Sequence, residues 1–148
     1  MPHDRPMPIT RFSHSFTVAA PPSVVYSHLI EPRSYIGLSP LVVEVRDVRG
    51  TDYVAVERFR AGPLRWDNPI RVAMRGTPGR QVVSTVASPG NVGLVATVDL
   101  VPEGDGTAVT ESIEITAPWF LRSFAAGQAR KVQLHRAAEL TRRMARMV

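Results

Sequence analysis

Cysteine is absent from the 148 residues, which excludes disulfides, thiolate nucleophiles and cysteine-based zinc sites together. No stretch approaches the roughly 18 consecutive apolar residues of a membrane-spanning helix. The opening MPHDRPMPIT has three prolines and no apolar run fit for a secretory signal, so a cytoplasmic location is expected. No H-E-x-x-H, G-x-S-x-G, Walker loop or G-x-G-x-x-G occurs, and His3, His14, His28 and His135 fall at no metal-ligand spacing. Neither a metal nor a nucleotide cofactor is therefore expected. Lysine is nearly missing: Lys131 stands alone among 18 basic residues. The formal charge of +5 comes from arginines spread along the chain, without interleaved aromatics, and nucleic acid is not the expected partner. The one basic concentration, Arg130, Lys131, Arg136, Arg142, Arg143 and Arg146, reads as the solvated side of a helix.

With 44% hydrophobic and 21% charged residues the composition is that of a globular domain, and the length suits one domain with its own core. A flexible tail over residues 1–10 and a single domain over 11–148 are expected. A homodimer is compatible with this composition.

In RFSHSFTV, residues 11–18, Phe12, His14, Phe16 and Val18 share one face at a period of two, the pattern of a half-buried strand. In AAPPSVVYSHLIEP, Ser23 is a plausible helix cap, with a short helix ending before Pro32 and a second short helical or loop stretch over 33–38. Six further apolar or alternating runs follow, at 41–48, 53–59, 66–75, 81–88, 92–101 and 107–116. The segments between them, RGTD, AGPL, TPGR, SPGN and PEGDGT, are glycine-bearing turns too short for parallel crossovers, so the strands pair antiparallel. From Pro118 onward alanine, arginine and leucine dominate, and one helix is expected over 118–148. At 100° per residue Ala126, Ala129, Ala137, Leu140 and Met144 form its inner side, flanked by Phe120, Leu134 and Ala138. Gln128, His135, Glu139, Arg142, Arg143 and Arg146 fall opposite.

This order of elements resembles the helix-grip fold of the START and Bet v 1-like superfamily, SRPBCC in bacteria. The carriers are FTVAAPPSVVYSHLIEPRSYIGLSP, similar to the family's strand, A-P-x-x-V-aromatic and acidic-proline opening, and LVPEGDGTAVTESIEI, similar to its P-x-x-x-G-T-x-V-T hairpin. The resemblance implies an α+β fold, a curved seven-stranded antiparallel sheet wrapped around a long C-terminal helix, with two short helices after strand one. It also implies a cavity between sheet and helix for a small hydrophobic molecule, a lipid, polyketide or similar. A curved sheet cannot meet a straight helix along its whole length, and the alanines at 126, 129 and 137 leave room. The plant branch's glycine-rich loop has no match in RGTD.

Several polar residues sit on faces that should look inward. His14 is either a satisfied core residue or an acid–base group. Glu111 aligns with Val109, Ile113 and Ile115, an expensive place for a carboxylate without a partner. First and last strands are neighbours in the helix-grip topology, so His14 and Glu111 are expected to lie side by side, with Arg130 reaching toward them as a salt bridge or as a ligand contact. Asn68 and Ser84 share faces with apolar neighbours and could offer hydrogen bonds to a guest, and Trp66 and Trp119 are expected to line or lid the opening. Three functions are open. One is ligand carriage. A second is a polyketide cyclase or aromatase-like enzyme using His14, Glu111 and Arg130. The third is a protein-interaction module using Arg142, Arg143 and Arg146.

Overall fold

The computed structural model describes residues 9–148. Strand β1 (Ile9–Val18) is followed by helix α1 (Pro22–Leu29), a 3-10 turn at Pro32–Ser34 and the single-turn helix α2 (Tyr35–Leu38). Strands β2 (Val42–Arg49), β3 (Asp52–Ala61), β4 (Leu64–Thr77), β5 (Gln81–Ser88), β6 (Val92–Glu103) and β7 (Gly106–Thr116) precede helix α3 (Arg122–Ala145). Thr10 belongs to β1, so the expected tail shortens at its inner end, and its residues 1–8 lie outside the described residues.

The seven strands form one antiparallel sheet in the order β1-β7-β6-β5-β4-β3-β2. Every consecutive pair from β2 to β7 is a hairpin, and the turn glycines Gly62 and Gly104 both sit at φ 58°, where an L side chain is strained. Strand β1 then pairs with β7, His14 opposite Glu111, as the topology requires. In β2 the register breaks between Val42 and Glu44 and again between Arg46 and Arg49, with Asp47 at φ 53°. Such irregularities add local bend and twist at the sheet edge. Helix α3 packs on β1, β7 and α2, and the curved sheet closes around it. This is the helix-grip architecture expected from the sequence.

The motifs that carry the resemblance have local causes. A Cβ on Gly106 would lie 2.2 Å from the Val18 carbonyl oxygen, and Thr107 donates its hydroxyl hydrogen to the Ala20 carbonyl at 2.7 Å. The G-T pair thus stitches the start of β7 to the end of β1. Pro22 opens α1, where its missing N–H costs nothing, and Pro21 rather than Ser23 stands at the cap position, without a side-chain hydrogen bond. Val25, Leu29, Leu38, Met74, Leu140 and Met144 are sealed beneath the short helices in one core cluster, each contributing about 1.5–3 kcal/mol by leaving water. A second cluster gathers Ala96, Ile113, Ile115, Ala117 and Ala129.

Helix α3 starts four residues later than expected. Pro118 to Leu121 form a turn, closed by Leu121 N–H donating to the Pro118 carbonyl at 2.9 Å, and Trp119 and Phe120 are left in solvent. The inner face of α3 is also turned from the expected arc. Ala129, Ala137, Leu140 and Met144 are buried as expected, but so is Gln133, whereas Leu134 and Ala138 are exposed and Gln128, Glu139 and Arg143 are half-buried. A stripe defined by apolar residues alone missed the polar side chains that share it. No helix among the described residues is long and apolar enough to cross a membrane.

Candidate functional site

A cavity of about 300 Å³ lies between the concave face of the sheet and α3, at the small end of the size range of ligand sites. The strand period of two sets its wall. Tyr53, Ala55, Glu57 and Phe59 face it from β3, Asn68, Ile70 and Val72 from β4, and Ser84 and Val86 from β5. Across from them α3 offers Ala125, Gln128, Ala129 and Val132, small or slender side chains that leave the space unfilled.

The polar groups gather around Arg136. Its Nε lies 3.0 Å from Glu111 Oε2, and its Nη1 donates to Ser39 Oγ at 2.9 Å. The Nε–H is buried yet not aligned on an acceptor, so the contact with Glu111 is one of charge rather than a well-directed hydrogen bond. Glu111 is 5% exposed. Burial works against the guanidinium charge, but Glu111, followed by Tyr35 and Tyr53, outweighs it and holds the Arg136 pKa above its ordinary value. Tyr35 donates to the Leu29 carbonyl at 2.7 Å and stacks on Tyr53 with ring centroids 6.1 Å apart. Burial pushes both phenols well above the ordinary tyrosine range, against the pull of Arg136. Glu57 faces the same space, and burial raises its carboxyl pKa while Arg136 lowers it by less. The inner wall is therefore a tight ion pair beside a carboxyl group biased toward its protonated form.

The expected site residues divide. Glu111, Asn68 and Ser84 line the cavity. His14 stands opposite Glu111 in the ladder but is not among the lining residues. Its ring stacks on Phe16 at 5.8 Å, and the Glu111 carboxylate turns to Arg136 instead. Arg130 is not the partner of Glu111. It is exposed at the β1 side, where Nη1 donates to Gln133 Oε1 at 2.7 Å and to the Ser13 carbonyl at 3.3 Å, with the guanidinium 5.7 Å from the Phe12 ring centre. Arg136 follows six residues later, about 240° around the helix, and this rotation decides which arginine enters. Trp66 stacks on the lining residue Phe59 at 5.8 Å and so stands at the rim, while Trp119 is exposed and outside the lining. Arg143 is no free surface charge: it contacts Glu139 at 2.9 Å, donates to the Ser34 and Ile36 carbonyls at 2.6 and 3.0 Å, and meets His28 Nε2 at 3.1 Å.

Arg136, Glu57, Tyr35, Tyr53 and Ser39 were missed. The signal for Arg136 was its spacing, seven residues after Ala129 and four before Leu140, which puts it on the inner stripe despite its charge. Alternation of Tyr53, Ala55, Glu57 and Phe59 would have found Glu57. No group of three or more His, Asp and Glu able to hold a metal occurs among the described residues.

Comparison with known structures bears on the fold. The Zhui aromatase/cyclase of Streptomyces sp. R1128 superposes with a TM-score of 0.74 at 13% identity, over 94% of this chain and 95% of that one. A START superfamily protein from Mycobacterium smegmatis gives 0.75 at 14% identity, over 93% and 99%. The di-domain ARO/CYC StfQ of the steffimycin biosynthetic pathway gives 0.61 at 13%, over 93% of this chain and 52% of its own. No curated protein matches by sequence. The family model described as "Polyketide cyclase / dehydrase and lipid transport" matches residues 10–146. Matched over nearly its whole length, the chain belongs to the polyketide cyclase/dehydrase and lipid transport family.

Proposed function

We propose that the protein binds a small, mainly apolar molecule bearing one polar group, with its apolar body against β3–β6 and its polar end at Arg136 and Glu57. The observation that carries this reading is the cavity itself: apolar on most of its wall, with charged and phenolic groups gathered around Arg136. Apolar enclosure supplies affinity by removing surface from water, and a few placed polar groups fix orientation. A buried, already paired guanidinium favours a guest oxygen that accepts a hydrogen bond, such as a carbonyl, a phenol or a carboxylate. The aromatase/cyclase neighbours and the lipid-transport description of the family support the same class of guest.

Native mass spectrometry of freshly purified protein, followed by organic extraction, tests this directly. A stoichiometric hydrophobic molecule in the wild type, lost in Ser84→Leu, is the expected result. A wild type that carries nothing and gains no thermal protection from lipids, polyketide mimics or quinones overturns it. One observation favours an enzymatic use of the same cavity, a polyketide cyclase-like reaction. Glu57 faces the guest with a pKa raised by burial, the setting of a general acid or base. Turnover of a bound ketone that is abolished in Glu57→Gln with binding retained would establish catalysis. Turnover unaffected by Glu57→Gln would refute that role.

A further inference from the structure

The cavity opens between two groups of large apolar side chains that nothing among the described residues covers. On one side the β3–β4 hairpin carries Leu64, 66% exposed, and Trp66, 45% exposed. Both continue the inward-facing alternation of Asn68 and Ile70 beyond the reach of α3, and Trp66 lies nearly parallel on the lining ring of Phe59. On the other side Trp119, Phe120 and Phe124, 81%, 65% and 61% exposed, project around Leu121. Phe124 and Leu121 line the cavity, so both groups belong to the rim of one opening. The β5–β6 turn packs against the second group, since a Cβ on Gly90 would lie 3.4 Å from Leu121 Cδ1.

The charges of this rim have one sign. Residues 59–66, 88–92 and 117–125 contain Arg60, Arg65 and Arg122 and no carboxylate; Arg60 and Arg65 pair across the hairpin tip and project from the side opposite Leu64 and Trp66. The nearest acid in sequence, Asp67, is held by Arg58 through contacts of 2.9 and 3.1 Å. Exposed tryptophan and phenylalanine among arginines is the composition that settles at a bilayer's headgroup level, where rings meet the acyl boundary and cations meet anionic lipid. A second copy docked on the apolar side would leave Arg60 and Arg65 on the other side of the hairpin without counter-charge, whereas headgroups surround both sides of the tip, so the one-sided charge favours a negative surface.

We propose that this rim docks the protein on an anionic lipid membrane, with the mouth of the cavity turned toward the bilayer. Exchange of a guest with the membrane through that mouth rests on the ligand reading above. Docking itself does not.

Both tryptophans of the chain, Trp66 and Trp119, stand in the rim, so intrinsic emission reports contact without a label. With vesicles of phosphatidylcholine and phosphatidylglycerol in equal parts, emission shifts to the blue and is quenched by brominated acyl chains. Partition falls with added salt and is at least about tenfold weaker on phosphatidylcholine alone. Arg60→Gln with Arg65→Gln weakens it about thirtyfold with the thermal midpoint unchanged, and Leu64→Ser with Phe120→Ser removes the bromolipid quenching. Absence of a shift or of co-sedimentation with the mixed vesicles overturns the proposal, as does equal binding to neutral vesicles. A lipid-free dimer in which both tryptophans are already shielded also overturns it, assigning the rim to a second copy. Docking by protein whose cavity extracts empty retains this inference and removes the ligand reading. A filled cavity without docking does the reverse.

Discussion

Replacing Arg136 by methionine isolates the energetics of the inner wall. The guanidinium and the Glu111 carboxylate touch at 3.0 Å. At a charge separation of about 4 Å and an effective dielectric constant of about 20, the attraction is about 4 kcal/mol. Glu111 is 5% exposed, and the hydrogen bond that α3 gives this residue, from Gln133 Nε2 at 3.0 Å, goes to its backbone carbonyl rather than to the carboxylate. Removing Arg136 thus leaves a buried charge without a counter-ion, which costs about 3–5 kcal/mol, and the Ser39 bond adds about 1 kcal/mol. Glu111→Leu should cost about 3 kcal/mol for the mirror-image reason. The double variant Glu111→Leu/Arg136→Met should return to within about 2 kcal/mol of the wild type, because an apolar pair carries no desolvation penalty. Urea unfolding at neutral pH, followed by far-ultraviolet circular dichroism and arranged as a double-mutant cycle, should give a coupling of at least about 5 kcal/mol. Single variants each costing below about 1 kcal/mol and summing to the double would mean that the pair is hydrated and worth no more than a surface bridge, and the reasoning would fail.

Three other outcomes follow from named contacts. Burial raises the Glu57 pKa from its ordinary value of 4.5, so its contribution to stability is full below that value and is lost as pH rises through the raised one. Glu57→Gln should flatten that limb in pH-dependent urea midpoints, and an unchanged limb would contradict the assignment. For His28 the direction reverses: burial, then Arg143, lowers its pKa from 6.5, so the stability it supplies is present above 6.5 and disappears as pH falls through the lowered value. His28→Gln should narrow the loss of stability on acidification, and an identical profile would show that His28 is not the group responsible. Gly106→Ala drives a Cβ to 2.2 Å from the Val18 carbonyl, and calorimetry should record a destabilisation of about 1–3 kcal/mol. A neutral effect would mean that the β1–β7 junction moves freely.

The fold was readable because its signals are local. Turn glycines, strand alternation and an alanine-rich final segment each act over a few residues, and antiparallel pairing follows from short connections. Strand ends were less readable, since β4 runs from Leu64 rather than Trp66 and the hairpins extend past the apolar runs. The site was half legible. Asn68, Ser84 and Glu111 face the cavity because strand periodicity carries over to any fold of the same register. The arginine could not be settled that way. Helix rotation about its axis depends on the sum of all packing contacts, and about 240° separates Arg130 from Arg136. The hydrophobic stripe favoured Arg130, whereas the burial of Gln133 and the contacts of Arg136 show the true inner face to include polar residues with partners on β7 and near α2.

Those partners bear on why the cavity has a charged wall at all. Helix α3 packs on β1 and β7, and the space lies where the sheet curves away toward β3–β5 opposite small or slender residues. Apolar side chains there would stabilise the domain more cheaply than Glu111 and Arg136, because a buried ion pair is often neutral or unfavourable beside a well-packed apolar pair. Stability alone therefore does not explain the pair. Arg136 also ties α3 to Ser39, the residue closing α2, and Arg143 ties it to the Ser34 and Ile36 carbonyls, so two arginines fix the inner end of the cavity against the short helices. The far end is left to aromatic rings in solvent. A site rigid and charged at its closed end and apolar at its mouth can orient a guest by its polar terminus, which the same double variant tests from the other side. Glu111→Leu/Arg136→Met should fold nearly as well as the wild type and lose the guest, and retention of the guest at unchanged affinity would assign the pair to fixing the helix alone.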